Sequence, residues 1–134
     1  MKSILVDSNV LLDIATNDKT WFEWSSLALE AAANEAPLAI NAIIYGEVSI
    51  GFTRIEDLES AVPLTSFRRP VLPYEAAFLA GKAFQQYRRR GGVRIRPLPD
   101  FYIGAHAAVA DFRLLTRDPK RYRTYFPSVE LIVP

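Results

Sequence analysis

The chain has 134 residues, of which 50% are hydrophobic and 23% are charged, and its formal net charge is +1. These values are typical of a single globular domain, which we expect to span residues 1–134. The chain has no cysteine and one histidine, His106, which excludes disulfides, thiolate zinc sites, cysteine nucleophiles and histidine-rich metal sites, so that any metal site must use oxygen ligands.

Hydrophobic periodicity and breaker residues predict short strands that alternate with helices. In chain order, the predicted elements are a strand over 3–6, helices over 8–15 and 21–35, a strand over 38–40, helices over 42–51 and 54–61, an extended piece over 64–67, helices over 74–90 and 100–110, a strand over 114–116, a helix over 119–125 and a strand over 129–133. Asn41 is a suitable helix N-cap, and Pro119 suits a first helical turn. This alternation predicts an α/β fold, a three-layer α/β/α sandwich around a parallel sheet.

Four acidic residues that are far apart in the sequence lie where their carboxylates could converge. Asp7 and Asp118 each follow a strand-like run, whereas Glu47 and Asp100 lie in or at predicted helices. The carboxyl ends of adjacent parallel strands open into one crevice, which would bring such residues together. Two carboxylates about 4 Å apart repel by roughly 4 kcal/mol at an effective dielectric near 20, so a cluster takes up protons or binds cations. Hard oxygen ligands of this kind favour Mg²⁺ or Mn²⁺.

Each of these acids also has a simpler explanation. Asp100 and Asp118 precede predicted helices, where a carboxylate caps free N–H groups and meets the positive end of the helix dipole. Asp7 could be a turn residue, and Glu47 could be an exposed glutamate on a helix surface. Of the four, Asp118 is the strongest candidate for a helix cap.

Charge is distributed unevenly along the chain. Residues 1–66 carry three basic and ten acidic side chains, a net −7, whereas residues 67–134 carry thirteen basic and five acidic side chains, a net +8. Clustered basic residues attract a phosphate backbone by charge, without reading its sequence. For the run Arg88–Arg90 alone, a solvated helix face is the simpler explanation.

The chain shows no signal for a membrane or for secretion. No apolar run approaches the roughly 20 residues needed to span a membrane. No terminal segment combines a basic start, an apolar core and a small-residue cleavage site. We therefore expect a cytoplasmic protein without membrane attachment.

Four segments carry a resemblance to a known family. They are residues 4–13 (ILVDSNVLLD), 41–47 (NAIIYGE), 98–107 (LPDFYIGAHA) and 114–118 (LLTRD), the last followed by Tyr122 and Phe126. In this order and spacing, which cover nearly the whole chain, they resemble a PIN-domain ribonuclease, specifically a VapC-type toxin of a type II toxin–antitoxin system.

The resemblance implies an endoribonuclease that depends on Mg²⁺ or Mn²⁺, cuts RNA, forms a homodimer and is neutralised by a cognate antitoxin. It implies that the acidic metal-site and catalytic residues are Asp7, Glu47, Asp100 and Asp118. The substrate-binding residues that we expect around them are Asn9, Thr116, Arg117, Lys120, Arg94 and Arg96. The alternative is a catalytically silent PIN-like module that binds RNA or a protein partner.

Other conspicuous side chains have structural explanations. His106 lies about 240° around its helix from Asp100, so we expect it to be packed or exposed away from the metal site. Tyr102 is expected to pack in the core rather than to stack on a base. Trp21, Phe22 and Trp24 are too dense to face one core, so either one ring is partly exposed or the three form an apolar patch for an antitoxin helix or a second copy of the chain.

Overall fold

The computed structural model describes all residues, 1–134, and contains seven α-helices and five short strands. The strands are β1 (Ile4–Val6), β2 (Leu38–Ala39), β3 (Phe67–Arg68), β4 (Arg113–Leu115) and β5 (Leu131–Ile132). The helices are α1 (Ser8–Ala15), α2 (Phe22–Glu35), α3 (Ala42–Val48), α4 (Ile55–Ala61), α5 (Tyr74–Arg89), α6 (Pro99–Ala110) and α7 (Lys120–Tyr125), and a 3₁₀ turn over Ser49–Gly51 follows α3.

The five strands form one parallel sheet in the order β3-β2-β1-β4-β5. Leu5 pairs with Ala39 on one side and with Leu114 on the other. The chain adds β2 and β3 on one side of β1 and then crosses to add β4 and β5 on the other. The strand order therefore reverses between β1 and β4, and the crevice beside their carboxyl ends is the usual position of a site in such a sheet.

The helices cover the two faces of this sheet. Because the crossovers between parallel strands are right-handed, the helices of connections that lead toward one edge of the sheet lie on one face. The helices of connections that lead toward the other edge lie on the opposite face. In agreement, α1 packs on α2 and α3, whereas α6 packs on α5 and α7, and both α2 and α6 contact β4. The predicted three-layer α/β/α sandwich is confirmed.

The core is centred on the two middle strands. All three residues of β1 are completely buried, as are Leu114 and Leu115 of β4. Parallel strands covered on both faces need continuous apolar runs, and burial of each such side chain contributes about 1.5–3 kcal/mol. On α6, a Cβ added at Gly104 would lie 2.3 Å from the Phe126 ring, so the helix and the segment after α7 approach closely only because this residue is glycine.

Element boundaries differ from the predicted ones at a few places, each with a local cause. The helix predicted over 42–51 is α-helical only to Val48, where the Ser49 hydroxyl bonds back to the Tyr45 carbonyl. The extended piece predicted over 64–67 begins only at Phe67, because Ser66 and Phe67 both donate to the Pro63 carbonyl in a turn. No helix is long and apolar enough to cross a membrane.

Candidate active site

Asp7 is the best-fixed residue of the acidic site. It follows β1, is only 3% exposed, and accepts hydrogen bonds at Oδ1 from the Ser8 backbone N–H at 2.8 Å. Oδ2 accepts from the Thr116 hydroxyl at 2.9 Å and from the Tyr122 hydroxyl at 2.8 Å. Burial raises the pKa of Asp7, although these three hydrogen bonds oppose the rise. The ends of β1 and β4 and the helix α7 therefore meet at one carboxylate.

Glu47 joins this site through Ser8. The Ser8 hydroxyl donates to Glu47 Oε1 at 2.8 Å, which links the start of α1 to the last turn of α3. Partial burial raises the pKa of Glu47, the Ser8 hydrogen bond lowers it, and the negative charge of Asp100 raises it further. Glu47 is thus neither fully exposed nor isolated from the other acids.

Asp100 lies in the first turn of α6 and is the acid whose ionisation is most perturbed. Burial, followed by the negative charge of Asp7, raises its pKa to about 6, and Asp118 adds to the rise. The positive charge of Arg121 and the nearby Tyr122 hydroxyl oppose this shift. Asp7, Glu47 and Asp100 are therefore close enough to influence one another's ionisation, and Asp118 acts on Asp100.

Asp7 caps a helix, whereas Asp100 and Asp118, for which capping was the simpler explanation from the sequence, do not. Asp7 is the N-cap of α1. In contrast, α6 begins after Leu98 and α7 after Pro119, and neither helix has a side-chain cap. Asp118 lies one residue before the N-cap of α7, and its backbone N–H donates to the Thr116 hydroxyl at 3.1 Å. Its carboxylate is exposed and does not cap the helix.

Asn9 and Thr116 lie beside the acids and brace them. The Thr116 side chain is fully buried, and its hydroxyl oxygen accepts from Asn9 Nδ2 at 3.2 Å while it donates to Asp7. Asn9 Oδ1 also accepts from the Arg117 backbone N–H at 3.3 Å. These contacts fix the loop after β4 against α1.

Arg117 is held by the protein itself. Its Nε lies 2.7 Å from Oδ2 of Asp13, a carboxylate that also accepts from the Ser25 hydroxyl at 2.8 Å. Its guanidinium carbon lies 5.5 Å from the centre of the Trp21 ring. The Asp13 carboxylate raises the pKa of Arg117. This guanidinium is already neutralised and stacked.

A pocket of about 370 Å³ opens beside Asp100 and Asp118. Of the four predicted basic contacts only Lys120 borders it, whereas Arg94 and Arg96 are exposed on the loop after α5 and Arg117 faces Asp13. The residues that line it are Tyr87, Arg90, Asp100, Asp118, Lys120, Arg121, Thr124 and Tyr125. The acids therefore border a basic and aromatic pocket.

Comparison with protein families gives a match to the PIN domain over residues 4–127. The chain belongs to the PIN-domain family. No curated protein sequence matches it.

Solved structures share the fold of this PIN domain. One is VapBC2 from Rickettsia felis bound to a DNA fragment from its promoter, with 18% identity, 98% of each chain covered and a TM-score of 0.74. A toxin–antitoxin complex from Klebsiella pneumoniae has 25% identity, 94% of each chain covered and a TM-score of 0.69. FitAcB from Neisseria gonorrhoeae has 20% identity, 96% of each chain covered and a TM-score of 0.69.

The donor set of this PIN domain suits a hard divalent cation that keeps much of its water shell. Both oxygens of Asp7 already accept hydrogen bonds, and no group of three or more acidic or histidine side chains is arranged to hold an ion directly. Mg²⁺, however, is commonly bound by one or two carboxylates and completes its shell with water and substrate phosphate. A nearby cation would also offset the burial and the repulsion that together raise the pKa of Asp100.

Three tyrosines of this PIN-domain site were given no role from the sequence. Tyr122 bonds directly to Asp7, and Tyr87 and Tyr125 line the pocket. Arg90, from the run for which a solvated helix face was the simpler explanation, lines the same pocket. The sequence signal for Tyr122 was its place four residues after Asp118, on the helix that directly follows a core strand. The pocket residues of α5 had no such signal, because α5 and α7 are distant in sequence.

The remaining predictions concern residues outside the acidic site. His106 is 1% exposed, and its Nδ1 lies 3.0 Å from Asn41 Nδ2, so it is a packed histidine. Tyr102 packs against the core. Trp24 also packs against the core and meets Trp21 edge-to-face at 6.2 Å, whereas Phe22 is 39% exposed. Phe22 is therefore the most exposed of the three rings, and a partner patch formed by them stays a prediction.

Proposed function

We propose that this PIN domain is a metal-dependent endoribonuclease that hydrolyses RNA phosphodiester bonds as the toxin of a toxin–antitoxin pair. The observation that carries the proposal is the meeting of Asp7, Glu47, Asp100 and Asp118 at the strand-order reversal. After burial, the charges of Asp7 and Asp118 contribute to the raised pKa of Asp100, about 6, and the charge of Asp100 contributes to the raised pKa of Glu47. Carboxylates forced together in this way are a common basis for cation binding and for perturbed ionisation at catalytic sites.

Mg²⁺ or Mn²⁺ would be held by these four carboxylates, partly through water. The chemistry that such an ion supplies is activation of a water and stabilisation of negative charge on the scissile phosphate. The protein's own part is orientation. Thr116 and Tyr122 fix the Asp7 carboxylate, and Ser8 fixes Glu47, so the acids need little rearrangement when substrate arrives.

The toxin role and its partners are supported by the kinds of assembly that share this fold. The structures of similar fold include VapBC and FitAB proteins and a toxin–antitoxin complex. Large exposed apolar side chains also occur at six positions between residues 50 and 78, namely Ile50, Ile55, Leu64, Val71, Tyr74 and Phe78. Such side chains are available for contact with protein partners, here a cognate antitoxin and a second copy of the chain.

The protein freed of any antitoxin is expected to cut single-stranded RNA in the presence of Mg²⁺ or Mn²⁺ and to stop when a chelator is added. Asp100→Asn should lower the cleavage rate by about 100-fold or more, because it removes a charged ligand of the site. Asp57→Asn, at an exposed acid on α4, is the matched control and should cleave like the unmodified protein. Cleavage that persists in chelator and in Asp100→Asn would overturn the metal mechanism.

The toxin role has a separate test in cells. Expression of the unmodified chain should arrest growth of a bacterial host, and Asp100→Asn should not. Growth arrest that is equal for the two proteins, at matched protein levels, would contradict a toxic effect through RNA cleavage.

A catalytically silent module is the second candidate function. It is favoured by the state of Asp7, whose two oxygens already accept hydrogen bonds from four residues, and by the lack of a ready-made three-carboxylate ligand set. Such a module would bind RNA or a protein partner without cutting. RNA binding without cleavage of any of a diverse set of RNAs, with either metal, would favour this candidate.

A further inference from the structure

We propose that the pocket between the ends of α5 and α7 is a subsite for one nucleotide of single-stranded RNA, on the flank of the scissile phosphate. The inference rests on the proposed function, since it assumes that RNA is the molecule presented to Asp100 and Asp118. The pocket shares both of these acids with the acidic site, so a nucleotide bound in it would be adjacent to the phosphate at the acids.

The cations of this pocket are the first argument. Arg90, Lys120 and Arg121 all line it, and none of the three forms a salt bridge within the chain. In contrast, Arg113 and Arg117 are each paired with carboxylates. One guanidinium nitrogen of Arg121, Nη1, is buried and has no hydrogen-bond partner. Arg90 and Lys120 therefore have no carboxylate partner at salt-bridge distance, and Arg121, whose charge acts on Asp100, keeps an N–H without an acceptor, so a phosphate would complement this part of the pocket.

The aromatic rings of the pocket are the second argument. The guanidinium carbon of Arg90 lies 5.3 Å from the centre of the Tyr125 ring, and that of Arg121 lies 5.4 Å from the centre of the Tyr87 ring. Tyr87 and Tyr125 in turn meet edge-to-face at 6.4 Å. Rings and guanidinium planes are the surfaces on which unpaired RNA bases stack, and such stacking tolerates any base.

The size of the pocket is the third argument. Its volume, about 370 Å³, lies within the range of roughly 300–1,000 Å³ that is usual for small-ligand sites. The pocket is therefore of a size for one nucleotide. Asp100 and Asp118 in its lining would face the reacting phosphate, and Arg90 and Lys120 would hold the phosphate of the neighbouring nucleotide.

Binding of a fluorescent 12-nucleotide single-stranded RNA to the full chain, in chelator so that no cleavage is expected, tests the subsite. Arg90→Gln and Lys120→Gln should each raise the Kd by about 5- to 20-fold. Each should also reduce the slope of log Kd against log salt by about 0.7, because one phosphate contact is lost. Arg89→Gln and Arg123→Gln, next to the pocket on the same helices but not lining it, are the matched controls and should change the Kd by less than about 2-fold.

Stacking has its own variant. Tyr125→Leu should raise the Kd by about 5-fold or more. The difference from the unmodified protein should disappear when the base that occupies the subsite is replaced by an abasic residue, found by scanning each position of the RNA. Thermal melting of every variant separates loss of binding from loss of folding.

The outcomes distinguish the subsite from the proposed function. If the unmodified protein cuts RNA but the pocket variants bind like their controls, the subsite is overturned and the nuclease stands. If no protein cuts RNA but the pocket variants lose binding, the subsite stands and the nuclease fails. Absence of RNA binding by the unmodified protein would overturn the subsite.

Discussion

The Tyr122 hydroxyl donates a hydrogen bond of 2.8 Å to Oδ2 of Asp7, across 115 positions of sequence. Both residues are almost completely buried, at 1% and 3% exposure. The bond connects the helix after the fourth strand to the end of the first strand. Burial raises the pKa of Tyr122 well above its usual value, and the negative charge of Asp7 adds to the rise. Tyr122 therefore stays protonated and remains a donor to the acid.

Tyr122→Phe should weaken both the fold and the activity. The ring still packs, but a buried carboxylate loses one of its donors, which costs about 1–3 kcal/mol in the free energy of unfolding. Without this donor the pKa of Asp7 rises further, so the RNA-cleavage rate should fall by about 10-fold or more and recover partly at higher pH. Chemical denaturation and cleavage assays between pH 6 and pH 9 measure the two effects. Tyr74→Phe, at a 91% exposed tyrosine, is the control. A cleavage rate unchanged from that of the control would remove Tyr122 from the site.

Asp100→Asn should stabilise the protein at neutral pH in the absence of divalent ions. The pKa of Asp100 is raised from 3.8 to about 6 in the folded protein, so the folded state binds more protons between these values and stability falls as pH rises through them. Removal of the charge should add about 1–2 kcal/mol at pH 7.5, after allowance for solvent screening, and almost nothing near pH 4. Thermal melts at the two pH values, with Asp57→Asn alongside, measure the difference. An equal gain at both pH values would show that packing, and not charge, is the cause.

The sequence was sufficient for the fold because local signals and tertiary structure agree. Apolar runs such as residues 4–6 favour strands buried on both faces, as observed, and the capping residue Asn41 lies where α3 begins. The approach of Asp7 to the loop after β4 also followed from the sequence, since topology brings the ends of β1 and β4 together, whereas the positions of Glu47 and Asp100 depend on how α3 and α6 pack.

The partners of the basic residues could not be predicted in the same way. Arg117 and Lys120 look alike in sequence, but Arg117 points toward Asp13 and Lys120 toward the pocket. The difference depends on where α1 and α7 lie in space. Likewise, a short motif cannot show whether Asp7 or Asp118 caps a helix, because the capping geometry depends on the backbone that follows.

Arg117→Gln should clearly lower the free energy of unfolding but should change the affinity for RNA little. The change removes the charged partner of Asp13, a carboxylate with only 4% of its side chain exposed. Loss of one partner commonly costs about 3–5 kcal/mol for a fully buried pair. The cost should be smaller here because the Arg117 side chain is 30% exposed. Denaturant unfolding should therefore show the larger effect, whereas the Kd for single-stranded RNA should change by about 2-fold or less. Arg123→Gln, at an exposed arginine of α7, should leave stability within about 0.5 kcal/mol. A Kd for Arg117→Gln that rises as much as that of Lys120→Gln would return Arg117 to the substrate-binding residues.

Divalent ions should stabilise the protein through the same acids. A ligand that binds only the folded state raises the free energy of unfolding by RT ln(1 + [L]/Kd), about 2.7 kcal/mol at a concentration 100 times its Kd. Thermal melts at pH 7.5 should therefore show a Tm that rises with added Mn²⁺ or Mg²⁺, and the rise should shrink below pH 6 as protons compete for Asp100. The rise should be lost in Asp100→Asn and kept in Asp57→Asn. Ca²⁺, which is larger and takes more ligands, is the control. An equal rise in Tm with Ca²⁺ would indicate a general effect of charge, whereas a smaller rise would indicate a site that fits Mg²⁺ or Mn²⁺. A Tm that rises equally in Asp100→Asn would place the ion elsewhere on the protein.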